Sequence, residues 1–433
     1  MYRILPQLGL TLFEANRTRH TPRTDPSSAE DLAVARDLAQ TGVSTYLDFN
    51  SSTPVDPAVI EAVVKSMRDV VANPSSTHPP GVLAFEEIQQ GRDEVGTLIG
   101  CPPAWLTFTS GATEANNLAI KGLWDGMQSG ARTRDTIVVG ATEHSAVLQA
   151  ARSLEARGAR ILVAPVDEYG IILEDALKSL VDERTLLVSV MAANNETGSI
   201  TDLSKVSAIA KASGAYIHSD ATQYVGKLPF DMLSADADLV SISAHKLYGP
   251  KGVGALAVAR GTPVAPLFHG GGHEKGLRAG TLNTPGIVGL GVAARLALAR
   301  FHEADPIRVL RDRLHSGLKA RIDGMTLNGH PSERLPNTLN VRFAGVDADA
   351  LVASLDYVHC STGSACHSGS PEPSHVLLAM GLGRIEAHES IRLSLGRTTT
   401  VLEVDAAIED LVRAVRRLRE MTGSPVSRDR ISA

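Results

Sequence analysis

Three short segments hold residues whose types and spacing could do chemistry: Asn194-Asn195-Glu196, His218-Ser219-Asp220 and Ser243-Ala244-His245-Lys246. Each ends or follows an apolar run. A lysine beside a histidine at the end of a buried strand is held partly desolvated, which lowers its pKa towards nucleophilicity. Alone, Lys246 reads as an ordinary exposed lysine. Asp220, one strand earlier at the equivalent level, changes that reading. A lysine that forms a Schiff base, paired with an aspartate that protonates a pyridine nitrogen, is what pyridoxal-phosphate chemistry requires. A phosphate also needs a cradle. TSGATEANN (109–117) supplies small residues with backbone donors and leads into a helix expected around Asn116–Gly122, and a helix start after a glycine turn favours an anion. The run GPKGVG (249–254) lacks the order of a Walker-type nucleotide loop and reads as the turn beyond Lys246.

The remaining candidate is a thiol. Cys366 lies in a Gly- and Ser-rich stretch, Ser361–Ser370, next to His367 and without strong periodicity. A structural cysteine prefers an apolar core, whereas a nucleophilic one prefers an accessible loop near positive groups. By its own context Cys366 reads equally as either. Cys360, and Cys101 beside Pro102 and Pro103, read as buried thiols. A zinc site from His359, Cys360, Cys366 and His367 would crowd two pairs into one loop without the usual distant partner pair, so no metal is expected.

The elements that position these residues follow from the pattern of the chain. Thr136–Val139, Arg160–Ala164, Leu186–Met191, Ala215–His218 and Leu239–Ser243 read as buried strands. His144–Arg157, Leu173–Val181 and Leu203–Ala212 have helical spacing between them, and Asp202 is placed to cap the last. This alternation predicts an α/β fold with a mostly parallel sheet flanked by helices. Ligands in such sheets lie outside the carboxyl ends of the strands, where the three segments fall. The gap between Ser243 and the run Val253–Ala259 is too short for a parallel crossover, so that strand is expected to be antiparallel. Near Phe301 the texture changes. Arg308–Arg321 reads as a charged amphipathic helix, Asn337–Phe343 and Ser390–Leu395 as strands, and Val401–Arg417 as a closing helix. The expected division is a disordered extension over 1–44 with one short helix at 29–41, a large cofactor-binding domain over 45–302 whose first residues pack with the small domain, a smaller α+β domain over 303–420 carrying the cysteine stretch, and a mobile tail over 421–433.

Composition bounds the rest. The chain has 433 residues, 43% apolar and 21% charged, as a packed protein of two or three domains would. Lys and Arg total 42 against 48 Asp and Glu, and the net charge of −6 argues against a general binder of nucleic acid or membrane surfaces. Three cysteines in so long a chain cannot form a disulfide framework, which points to a reducing, cytoplasmic setting. No apolar run of about 18 residues is present to span a bilayer. The stretch Ile4–Phe13, interrupted by Pro6, Gln7 and Gly9, does not read as a secretory signal.

Taken together, YLD (46–48) with Thr53-Pro54, NPSSTH (73–78), TSGATEANNLAIKG (109–122), TEHSAV (142–147), NNETG (194–198), DATQ (220–223), SAHKLYGPKGVGAL (243–256), HGGGHEKGLRAGT (269–281), STGSACHSG (361–369) and SIRLSLGR (390–397) resemble the cysteine desulfurases of the class V aminotransferase group. The resemblance covers roughly residues 45–420 in the family's order and spacing. It implies PLP fold type I, pyridoxal 5'-phosphate as cofactor and L-cysteine as substrate. By the same resemblance Lys246 forms the Schiff base, Asp220 holds the ring-nitrogen proton, Gln223 bonds the phenolic oxygen and His144 stacks on the ring. Ala112, Thr113, Ser243 and His245 fall at the phosphate, and Asn195 and Arg392 at the substrate carboxylate, with Asn195 also against the cofactor. Thr281 reaches the phosphate of a neighbouring subunit, which implies a homodimer. Cys366 accepts the sulfur as a persulfide and passes it to an acceptor protein, for iron–sulfur assembly, tRNA thiolation or DNA phosphorothioation. His367 and the wording ACHS also resemble selenocysteine lyases, the alternative on the same fold. One departure stands out. The family's first motif commonly reads D-x-A-A/S-T-T-P and here is DFNSSTP (48–54), so substrate fit is expected to differ there.

Overall fold

The computed structural model describes residues 44–127, 134–362 and 372–423. After the two-residue strand β1 (Thr45–Tyr46) come β2 (Leu106–Thr109), β3 (Thr136–Gly140), β4 (Arg160–Ala164), β5 (Thr185–Ser189), β6 (Tyr216–Asp220), β7 (Leu239–Ser243) and β8 (Gly254–Val258). These last seven form one sheet in the order β2-β8-β7-β6-β5-β3-β4. All its pairings are parallel except those of β8 with β2 and β7, as the short gap after Ser243 predicts. Alternation along the strands serves two cores at once. Val138, Val188, Ile217 and Val240 face a layer built from the helices Pro79–Ile99, Leu203–Ala212 and Thr284–Ala299. Ile137, Val139, Leu187 and Leu239 face Leu118, Leu123 and Trp124 and the helix Ser145–Arg152. Asp202 caps Leu203–Ala212 by accepting from the Ser204 amide, as expected.

A second, antiparallel sheet is made of β9 (Met325–Asn328), β10 (Thr338–Phe343) and β12 (Ser390–Ser394), in the order β12-β10-β9, while β11 (Val358–His359) pairs with β1. Its core of Leu339, Val341, Ile391 and Leu393 packs on the helices Ala304–Lys319 and Val401–Thr422. The last of these opens with a capping box between Thr400 and Glu403 and stops at Gly423 in the left-handed conformation. Leu47, just after β1, is fully buried in this core. The segment after β1 thereby packs with the closing helix.

Some elements depart from expectation. The helix read over His144–Arg157 ends at Arg152, and a separate turn covers Glu155–Arg157. The helix read around Asn116–Gly122 begins earlier, at Ala112, directly on the glycine turn, and widens at Leu118–Gly122. The expected short helix at 29–41 and the residue Cys366 lie outside the described residues. Among the described residues no single helix is long and apolar enough to cross a membrane.

Candidate active site

Five strands of the large sheet deliver side chains to one cavity of about 540 Å³ at their carboxyl ends. After β2 the glycine turn Ser110–Gly111 leads into a helix whose first residues are Ala112 and Thr113. After β3 comes His144, after β5 Asn195, and from the end of β6 Asp220 with Gln223. The end of β7 supplies Ser243, His245 and Lys246. Arg392, from β12 of the small sheet, and Asn50–Ser52, from the segment after β1, close the far wall. Of the expected residues, Thr281 is exposed and does not line this cavity, and Cys366 lies outside the described residues.

The turn at the phosphate position is shaped by two glycines. Gly111 has φ 151°, a region side chains rarely adopt. A Cβ on Gly254 would lie 2.6 Å from the Ile242 carbonyl oxygen and 2.7 Å from Gly111 Cα, so β8 passes the turn at backbone contact. Beside it, burial and the neighbouring Lys246 and Lys251 push the His245 imidazole down to about 4, so that ring is neutral at pH 7.

Polar groups in the cavity are fixed before any ligand arrives. Lys246 Nζ donates to the backbone carbonyls of Asn50 at 2.6 Å and Ser51 at 2.7 Å. Asp220, 6% exposed, accepts from Asn116 Nδ2 at 2.7 Å and from the Thr222 amide at 3.0 Å. It forms no ion pair among the described residues. His144 Nδ1 caps its helix by accepting from the Ala146 amide at 3.1 Å, which leaves Nε2 as the protonated nitrogen of a neutral ring. Its neighbour Glu143 is fully buried and accepts from the Met191 amide at 2.6 Å, and burial pushes its carboxyl well above the ordinary range. Arg392, 2% exposed, donates to Asp48 Oδ1 and Ser51 Oγ, both at 2.7 Å, and to the Asn195 carbonyl at 3.1 Å. Its Nε has no partner among the described residues, nor have the buried Asn116 Oδ1 and Thr222 Oγ1 at the cavity wall.

Sequence reasoning passed over Asn116 and Asn50. Asn116 carried a signal, since it follows Thr113 by three residues in a helix and so shares its face. Asn50 carried only its departure from the family motif.

An aminotransferase class-V family model matches residues 45–407. The chain belongs to this family. Among its relatives, cysteine desulfurase IscS of Anaeromyxobacter sp. (strain Fw109-5) is 45% identical over 384 residues, 88% of this chain and 94% of that protein. A solved NifS-like protein superposes with TM-score 0.79 at 36% identity, covering 88% of this chain and all (100%) of the other. A structure titled SspA in complex with cysteine has TM-score 0.72 at 33% identity, over 82% of this chain and 100% of that one. The PLP type I architecture expected of a class-V aminotransferase is therefore the one this chain adopts. Curated relatives 40–45% identical carry the name cysteine desulfurase IscS, and the selenocysteine lyase alternative is not favoured.

Proposed function

We propose that this class-V aminotransferase is a pyridoxal-phosphate-dependent cysteine desulfurase, converting L-cysteine to L-alanine and receiving the sulfur on Cys366. The observation that carries the reading is one cavity lined by both Lys246 and Asp220. The residues fit the cofactor on three grounds. Asp220 is a buried carboxylate with two neutral donors and no cation, suited to a protonated pyridine nitrogen. Asn116 Oδ1 and Thr222 Oγ1 are buried polar atoms awaiting a partner. The Gly111 turn offers backbone amides in a space that a Cβ on Gly254 would crowd.

When bound, the cofactor supplies an aldehyde for an amine and a ring that withdraws charge from the substrate's α-carbon. Lys246 would hold it through its amine and would act as the base at the substrate's α-proton. Arg392, anchored by Asp48 and Ser51, presents a guanidinium to the substrate carboxylate together with Asn195. The Cys366 thiolate attacks the substrate sulfur, forming an S–S bond as the Cβ–S bond breaks. The carbon product takes up protons and leaves as alanine. Two described residues on either side of the cysteine stretch support this reading. Ser361 exchanges backbone hydrogen bonds with Arg392, and Ser374 Oγ donates to Glu196, next to Asn195. Cys366 is five residues from Ser361, a reach of up to about 17 Å.

The working form is a homodimer. The helix Pro57–Asp69 exposes Ile60, Val64 and Met67 at 49%, 53% and 67%, spaced along one helical face. A second copy covering this face would bury it, and the exposed Thr281 would reach the neighbour's cofactor as the family resemblance implies. The setting is the cytoplasm, and the persulfide passes to an acceptor protein. Lys246→Ala is expected to lose the visible absorbance of the lysine-bound cofactor. Cys366→Ser is expected to keep it and release no sulfide from cysteine with a reductant present. Sustained sulfide release by Cys366→Ser would overturn the assignment.

A further inference from the structure

A second lysine lies behind the cavity floor. Lys227 Nζ donates to Gln223 Oε1 and, at 3.2 Å, to Asn50 Oδ1, and it forms no ion pair among the described residues. Asn50 is itself held on the other side, donating to Thr338 Oγ1 at 2.9 Å and accepting from Asn337 Nδ2 at 3.0 Å. Its backbone carbonyl receives both Gln223 Nε2, at 2.9 Å, and Lys246 Nζ. A carboxamide has one accepting and one donating end. With an amine fixed on Oε1, Gln223 has only Nε2 to offer the cavity it lines.

We propose that Lys227 is a positioning residue that acts through Gln223, fixing the donating end of its carboxamide towards the cofactor's phenolic oxygen. This rests on the reading that Lys246 binds pyridoxal phosphate. Burial, with Lys246 and Arg392 nearby, pushes the Lys227 ammonium well below its ordinary range, and no carboxylate offsets that. A buried lysine without a counter-charge is costly to keep, and orienting Gln223 gives it a task.

The test is the pH titration of the visible absorbance of the full-length, cofactor-loaded protein. Donation to the phenolic oxygen favours its ionised form, so losing it raises the titration midpoint. Lys227→Met is expected to raise that midpoint by about one pH unit, about tenfold in proton affinity. Lys227→Arg, which restores donors, is expected to recover most of the shift. In a Gln223→Ala background Lys227→Met is expected to add nothing further. Glu114, His144, Asp220, His245, Lys251 and Arg392, the other ionisable groups facing the cavity, are unchanged in every variant. Should Lys227→Met fail to fold, Lys227→Gln keeps a neutral donor and is expected to hold the midpoint. An unmoved midpoint in Lys227→Met, a full shift in Lys227→Gln, or an equal shift with and without Gln223 overturns the inference. If the unaltered protein shows no visible band with the cofactor, the reading of Lys246 falls as well. A normal band with an unmoved midpoint removes the role of Lys227 alone.

Discussion

Glu196 shows how a single side chain ties pH to the integrity of the site. It is buried, receives a hydrogen bond from Ser374 Oγ, and burial pushes its carboxyl up to about 7, with Ser374 and Arg392 pulling the other way. Its folded value lies above its ordinary value of 4.5, so the stability it lends is complete below about 4.5 and lost as pH rises through about 7. The loss amounts to about 3 kcal/mol. Urea unfolding of Glu196→Gln is therefore expected to change less between about pH 5 and pH 8 than that of the unaltered protein, and parallel curves would refute this. Thiols can be sorted the same way. Burial pushes Cys101 and Cys360 up to about 12, so both are protonated at neutral pH and inert as nucleophiles. Iodoacetamide on the folded protein is expected to spare both, as peptide mapping will read; alkylation of Cys360 at the rate of Cys366 would contradict it. That Lys246 and Asp220 share one cavity was legible in sequence because both close neighbouring apolar strands. Lys227 was not, since its role comes from burial and from Asn50, 177 residues away.

Among the elements, the strands of the large sheet announce themselves, because a strand covered on both faces must be apolar at nearly every position. The antiparallel β8 was legible from chain length alone. The helix Thr284–Ala299 was not: its buried residues are mostly Gly, Ala and Thr, with Ile287 and Leu290, and no polar stripe marks one face. Contact between β8 and the glycine turn is equally silent in sequence. Gly254→Ala forces Ile242 or Gly111 backbone aside and is expected to cost about 1–3 kcal/mol while loosening cofactor retention. Thermal unfolding and dialysis of the loaded protein measure the two effects, and unchanged values in both would show that the close approach is unimportant.

For the whole molecule, two sheets with separate cores meet at the cavity, joined by a segment that runs from Leu47 in the small sheet's core to the cavity wall at Asn50–Ser52. That juxtaposition was legible only through the family resemblance, since periodicity says nothing about which elements meet. The same holds for association. Val64→Glu with Met67→Glu, on the exposed face of Pro57–Asp69, is expected to convert a dimer to monomers in sedimentation, and a persistent dimer would place the interface elsewhere. The central claim is that sulfur leaves cysteine for one thiol of this chain. Mass spectrometry of peptides from the loaded protein, after incubation with L-cysteine and no reductant, tests it most directly. The peptide containing Cys366 is expected to gain one sulfur atom in step with one alanine released; alanine without that gain, or a gain confined to Cys101 or Cys360, would contradict it.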